Sequence, residues 1–275
     1  MNPNNFRIQR LDGTIYNMKD IGVIVNRLVI ESPSPIHHRE RIEGVDGYID
    51  LGTEYGGRNI LADCTLTAVD LLDYALARDE VFRIFDSKQP FYLLPDESPG
   101  KRILVKYDSP YSMARVADIG EFSLTFVSND AYFESIGTTL DPKTFDAEVW
   151  QVGQGLTVDE TKYTHTTKTF QIYNAGDVTI NPRMHPLVIE YKGQSLNLSI
   201  KNLTTGDEWV YSESIAPLEV VRIDGIRSFK DNDSIFSKTN HKLITIQPGW
   251  NDFEISGPVG FDEFEISFSF RFYYL

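Results

Sequence analysis

Glu263 and Glu265 are the residues of this sequence whose types and spacing come nearest to a catalytic arrangement. In an extended chain their carboxylates would lie on one face of a strand, and carboxylate pairs about 5–9 Å apart can hydrolyse glycosidic bonds. Acidic side chains are also common on the solvent face of a strand, and Phe264, Ile266 and Phe268 alternate onto the opposite face. We therefore predict a half-buried structural strand here and a protein without enzymatic activity.

The histidines and the single cysteine show no metal-binding pattern. The five histidines are His37, His38, His165, His185 and His241. None of them belongs to an HxH, HxxxH or HExxH motif, in which the spacing brings imidazoles to one metal. Cys64 alternates with apolar residues in ILADCTLTAV, which indicates a buried thiol, and one cysteine cannot form an intrachain disulfide. The sequence predicts no catalytic residue, no metal site and no cofactor.

Two tryptophans in the second half could bind a sugar. Trp209 and Trp250 lie in segments of strand and turn character, and an exposed aromatic ring can stack on the apolar face of a pyranose. Packing in a hydrophobic core is the competing interpretation. Both residues are therefore candidates for sugar stacking, and both interpretations stay open at this point.

The composition excludes several classes of protein. The 275 residues carry a net charge of −14, which argues against a basic nucleic-acid-binding patch. No apolar run approaches the length of a membrane-spanning helix, and the first residues contain no apolar core of a signal peptide. We expect a protein that is made and folded in a cytoplasm.

The periodicity of apolar residues predicts a mainly β protein with one substantial helix. The helix should cover Ala68–Lys88, and its packing face is predicted to consist of Leu72, Ala75, Leu76, Phe82 and Phe85. Strand patterns surround it, which indicates an N-terminal β-sandwich or barrel-like domain that carries the helix.

The second half shows short strand patterns about ten residues apart and no helix pattern, which is typical of an antiparallel β-sandwich. Between Ser135 and Gly155 the pattern weakens, as in an interdomain connector. We place the N-terminal domain at residues 1–140 and the C-terminal domain at residues 141–275.

Several stretches resemble the distal tail proteins of siphophages. YIDLGTEYGGRNI, FDSKQPFYLLPDESPGKRILVKY and GEFSLTFVSNDAYFES are similar to the N-terminal domain of that family. FQIYNAGDVTINPRMHPLVIEYKG, ITIQPGWNDFEISG and the terminal ISFSFRFYYL are similar to its galectin-like domain. The resemblance extends over nearly the whole chain.

This resemblance implies a structural protein of the virion tail tip, made in the host cytoplasm. Such proteins form hexameric rings that join the tail tube to the tip or baseplate and let DNA pass. The implied partners are five more copies of the chain, the tail tube protein, the tape-measure protein, the tail-associated tip protein and receptor-binding or baseplate proteins. The alternative function is a carbohydrate-binding module that recognises sugars of the host cell wall.

The stretch GYIDLGTEYGGRN suits an arm that contacts a neighbouring subunit. Tyr48 and Tyr55 offer amphipathic contact area, and Arg58 can pair with carboxylates. These three residues are the candidates for an oligomer interface. An internal loop is the competing interpretation of this stretch.

Overall fold

The computed structural model describes residues 3–143, 149–150, 156, 161–259 and 264–275. The described chain divides into two compact units, Met1–Phe133 with Leu275, and Glu134–Tyr274. The predicted boundary between residues 140 and 141 stays a prediction. Each unit is described by itself below.

The strands of the first unit are β1 (Phe6–Gln9), β2 (Ile15–Asn17), β3 (Val23–Ile30), β4 (Pro35–Glu40), β5 (Ile49–Tyr55), β6 (Arg58–Thr67), β7 (Phe91–Pro95), β8 (Lys101–Tyr107), β9 (Ala114–Val116) and β10 (Ile119–Ser128). The unit is built around one antiparallel sheet with the strand order β2-β1-β7-β8-β10-β6-β3, and β9 pairs with β10. A short β11 (Phe133–Ser135) begins at the last residue of this unit, and a 3-10 helix covers Met18–Ile21.

The core of the first unit is an aromatic cluster. The ring of Phe126 on β10 packs against three other phenylalanine rings. The distances between ring centroids are 5.7 Å to Phe6, 5.8 Å to Phe85 and 6.1 Å to Phe91. All four side chains are fully buried. Buried aromatic residues each remove a large apolar area from water, so this cluster supplies much of the stability of the unit.

The helix α1 (Leu71–Ile84) is shorter than predicted and packs through a different face. Its buried residues are Tyr74, Val81 and Ile84. Of the predicted face only Phe85, which follows the helix, is buried, whereas Leu72 is 81% and Leu76 73% exposed. The predicted face is wrong because apolar residues occur all around this helix, so periodicity could not distinguish its buried side.

Asp70 determines where α1 begins. Its backbone is extended, and its carboxylate oxygen Oδ1 accepts hydrogen bonds from the backbone N–H groups of Leu72 (2.8 Å) and Asp73 (2.9 Å). An N-cap of this kind satisfies backbone donors that have no partner within the helix. The helix therefore starts three residues later than the apolar pattern suggested.

We expect Asp70→Ala to lower the free energy of unfolding of the first unit by about 1 kcal/mol, the usual cost of losing an N-cap. Urea unfolding would measure this loss. Asp79→Ala is the matched control, because Asp79 is an acidic residue of the same helix that forms an exposed ion pair with Arg78, and such pairs contribute little to stability. Equal losses in both variants would contradict a capping role for Asp70.

The described strands of the second unit are β12 (Thr164–His165), β13 (Thr169–Asn174), β14 (Leu187–Lys192), β15 (Ser195–Asn202), β16 (Glu208–Val210), β17 (Ser214–Ile215), β18 (Val220–Asp224), β19 (Arg227–Lys230), β20 (Asp233–Ser234), β21 (Gly249–Pro258), β22 (Glu265–Phe270) and β23 (Tyr273–Tyr274). Most of them form two antiparallel sheets. One has the strand order β12-β22-β14-β18-β19-β20, and the other has the order β13-β21-β15-β16, with β17 paired to β15. A 3-10 helix covers Phe236–Lys238.

The two sheets of this unit pack face to face. The ring centroid of Phe268 on β22 lies 4.9 Å from that of Phe253 on β21, and the indole Nε1 of Trp209 on β16 donates to the hydroxyl of Ser228 on β19 at 3.2 Å. The apolar face predicted for the closing strand is confirmed, because its alternate residues are all buried. The mainly β class with a helix and an antiparallel sandwich is likewise confirmed.

Candidate assembly surface

A hairpin formed by β4 and β5 exposes a large apolar surface of the first unit. These strands form a two-stranded sheet of their own, and every residue in both is exposed. We call residues 35–55 the arm. Its exposed large apolar residues are Ile36, Ile42, Val45, Tyr48, Ile49, Leu51 and Tyr55. A lone two-stranded hairpin is only marginally stable in water, so a hairpin this apolar suits a contact with another surface.

The base of the arm is held tightly to the first unit. The backbone N–H of Ser34 donates to the carbonyl of Gly57 at 3.0 Å, and that of Gly56 donates to the carbonyl of Ser34 at 2.8 Å. A Cβ at Gly57 would stand 1.9 Å from the carbonyl oxygen of Ser128, so only glycine fits there. The arm therefore leaves the sheet from a defined point.

Polar contacts hold the two strands of the arm in register. His37 Nδ1 lies 2.8 Å from the hydroxyl of Thr53, its directly opposite residue. His38 Nε2 lies 3.4 Å from a carboxylate oxygen of Glu54. These contacts between exposed side chains fix the pairing of the two strands. They do not involve the apolar side chains of the arm, which stay exposed to solvent.

The interface candidates from the sequence fall in two different environments. Tyr48 is 66% exposed, and Tyr55 is also exposed at the end of β5, so both belong to the arm. Arg58 is only 4% exposed. Its Nε and Nη2 both donate to the carbonyl oxygen of Ala131, with a distance of 2.8 Å for Nε.

Arg58 is thus bound within its own unit. Its guanidinium lies 5.2 Å from the ring centroid of Phe133, an arrangement typical of a cation–π contact. Desolvation on burial lowers the pKa of this guanidinium from its ordinary value. The structure therefore gives Arg58 a structural contact at the start of β6, and the exposed contact area of this stretch lies with the tyrosines.

A second exposed apolar surface lies on α1. Leu72 and Leu76, four residues apart, are strongly exposed on one side of the helix, and Val69, which precedes the N-cap Asp70, is strongly exposed as well. We call these three residues the helix stripe. Leu72 and Leu76 were predicted to pack in the core. Ile49 and Leu51 of the arm were not predicted as contact residues, although the apolar residues of YIDLGTEY were a signal for them.

The two sugar-stacking candidates also differ. Trp209 is 2% exposed and its Nε1 is bonded to Ser228 in the core, so its ring is closed to a ligand. Trp250 is 43% exposed, and its ring centroid lies 4.9 Å from that of Tyr173 on the neighbouring strand. Only Trp250 of this pair offers a ring to a sugar.

The remaining chemical candidates from the sequence are the Glu263 and Glu265 pair, the histidines and Cys64. Glu265 is an exposed partner of Lys192 at 3.7 Å, and Glu263 lies outside the described residues. Within the described ranges no group of His, Cys, Asp and Glu could hold a metal ion. Cys64 is buried as predicted, and burial raises the pKa of its thiol to about 12. No helix in the described part of the chain has the length and apolar character to cross a membrane.

Comparisons with known proteins agree with this architecture. Residues 11–128 match the family described as a phage tail protein RIFT-related domain. No curated protein sequence matches the chain.

Among solved structures, the Dit protein of phage SPP1 aligns with a TM-score of 0.69 and 13% identity over 97% of this chain and 99% of that chain. It is described as a paradigm of the hub adsorption apparatus in phages that infect Gram-positive bacteria. A chain of the phage p2 baseplate in its activated conformation aligns with a TM-score of 0.50 and 9% identity, over 97% of both chains. These findings confirm the resemblance seen in the sequence: residues 11–128 match the phage tail RIFT-related domain, and the chain has the fold of a siphophage distal tail protein.

Proposed function

We propose that this chain is a non-enzymatic structural subunit of the phage tail tip, where six copies form a ring between the tail tube and the baseplate. The observation that carries this proposal is the arm, an exposed apolar hairpin anchored at a defined point. An exposed hairpin of this kind can pack on, or pair with, a neighbouring copy.

A ring also needs a surface that receives the arm. Head-to-tail contacts join two different patches of each subunit and close when the rotation between subunits is right. The first unit has two such patches, the arm and the helix stripe, and both expose apolar side chains. In the proposed ring the arm of one subunit lies on the helix stripe of the next.

The charge of the chain suits a ring through which DNA passes. Each copy carries a net charge of −14, so a ring of several copies has a strongly negative field. A negative lumen repels phosphates and prevents the duplex from binding to the wall. The neighbours in the virion would be the tail tube, tape-measure, tip and receptor-binding or baseplate proteins implied by the family.

The decisive test locates the chain in the virion. Antibody labelling and averaged micrographs of purified particles of the encoding phage should place it at the distal end of the tail with six-fold symmetry. Native mass spectrometry of the full chain at micromolar concentration should show hexamers, alone or with the tail tube protein as a template. Absence of the chain from the tail tip would contradict the proposal.

A further inference from the structure

The outward face of the sheet β13-β21-β15-β16 carries an aromatic pair followed by a row of polar side chains. Tyr173 lies opposite Trp250 and Gln171 lies opposite Asp252 in the antiparallel register. The intervening residues of β21 are buried, so its even-numbered residues face away from the sandwich. We call Tyr173, Trp250, Gln171 and Asp252 the outer row.

The aromatic end of the outer row is accessible. Trp250 follows Gly249, whose φ of 84° allows the tight turn that starts β21. The rings of Trp250 and Tyr173 are inclined at 46° with centroids 4.9 Å apart. Tyr173 supports the indole from one side, and nearly half of the tryptophan surface stays open to solvent. Such a fixed, exposed indole can stack on the C–H groups of a sugar ring.

The polar end of the outer row, formed by Gln171 and Asp252, lies about the width of one sugar ring from the aromatic pair. Two residues along a strand span about 6.8 Å, close to the width of a hexopyranose. At this distance the amide Nε2 of Gln171 donates to Oδ1 of Asp252 at 2.9 Å, which holds both planar groups in place. In the described part of the chain, no hydrogen bond is made by Asp252 Oδ2 or by the amide oxygen of Gln171. These two acceptors can bind neighbouring hydroxyl groups of a sugar.

The charge of this face selects among glycans. Lys201 on β15 lies opposite both Glu254 on β21 and Glu208 on β16 in the strand register. Together with Asp252 the face has three carboxylates and one ammonium group. The negative charge of these carboxylates repels phosphate or uronate groups at close range. The same carboxylates can accept hydrogen bonds from sugar hydroxyls and N-acetyl N–H groups.

We propose that the outer row is a binding site for a neutral hexopyranose glycan. One sugar ring stacks on Trp250, and its hydroxyl groups donate to Asp252 and Gln171. The site lies within the second unit and uses none of the residues of the arm or the helix stripe. It therefore does not depend on ring assembly, and its failure would leave the proposed function untouched.

The test uses the full chain and two kinds of probe. An array of neutral hexopyranose oligomers identifies the preferred sugar, and calorimetry then compares it with poly(glycerol phosphate) as an anionic polymer. We expect binding of a neutral oligomer and none of the phosphate polymer. Trp250→Ala should weaken binding by at least about tenfold, the size of effect expected when a central aromatic contact is removed.

Two further variants keep the test conclusive. Phe236→Ala removes an equally exposed aromatic residue at a different place in the same unit and should leave affinity unchanged. Asp252→Ala is a surface change that removes the hydrogen-bonding end, so it should weaken binding even if Trp250→Ala fails to fold. The proposal is overturned if no neutral glycan binds, if the phosphate polymer is preferred, or if both outer-row variants bind like the wild type.

Discussion

Replacing Phe268 by alanine should lower the free energy of unfolding of the second unit by about 3–5 kcal/mol, the usual cost of truncating a fully buried phenylalanine. Phe268 lies at the centre of the sandwich, where its ring centroid is 4.9 Å from Phe253 and 5.8 Å from Phe170 on the opposite sheet. It is fully buried and lies opposite Ile189 in the strand register. The loss is a large share of the stability of one domain.

Calorimetry and urea unfolding of the full chain would measure this effect. The transition of the second unit should move to lower temperature while that of the first stays in place. Leu218→Ala, which truncates a leucine that is almost fully exposed in the same unit, is the control and should change neither transition. An unchanged melting curve for Phe268→Ala would contradict the observed core, and a joint shift of both transitions would show that the two units unfold together.

The double variant Ile49→Ser, Leu51→Ser should abolish ring formation while leaving the stability of the subunit unchanged. Both side chains belong to β5 and are exposed in the subunit, so their removal creates no cavity. Burying each against a neighbour is worth about 1.5–3 kcal/mol. Their joint loss should therefore weaken each contact about a hundredfold or more.

Native mass spectrometry and negative-stain micrographs would compare this variant with the wild type, in the presence of the tail tube protein if a template is needed. Leu196→Ser, an exposed leucine of β15 in the second unit, is the matched control and should assemble normally. Hexamers of the arm variant at wild-type concentration would show that the arm is not the contact.

Leu72→Ser, Leu76→Ser extends the same experiment to the helix stripe. Equal loss of assembly in this variant is expected if the stripe receives the arm of the next subunit. Loss in the arm variant alone would place the receiving surface elsewhere on the first unit, while leaving the arm as a contact.

The closing strand shows what the sequence by itself determined. Phe264, Ile266 and Phe268 alternate with polar residues, and all three are buried as the alternation predicted. The two faces of a strand follow from local stereochemistry, so a period of two is sufficient to separate them. The same reasoning correctly predicted the burial of Cys64 and the presence of a β-sandwich in the second half. The motifs along the chain were sufficient to indicate the family.

Only the tertiary structure decided which side chains of similar type are buried. Trp209 is buried and donates a hydrogen bond to Ser228, 19 residues away, whereas Trp250 is partly exposed to solvent. Arg58 is bound by a carbonyl group 73 residues away.

The exposed side of α1 and the separation of the arm from the main sheet have the same origin. A helix with apolar residues on more than one side, or a strand with apolar residues on both faces, offers no clear local preference for the side that packs. That choice is made by residues distant in the chain that come to lie against it, and their positions depend on strand order and register, which the local pattern does not contain.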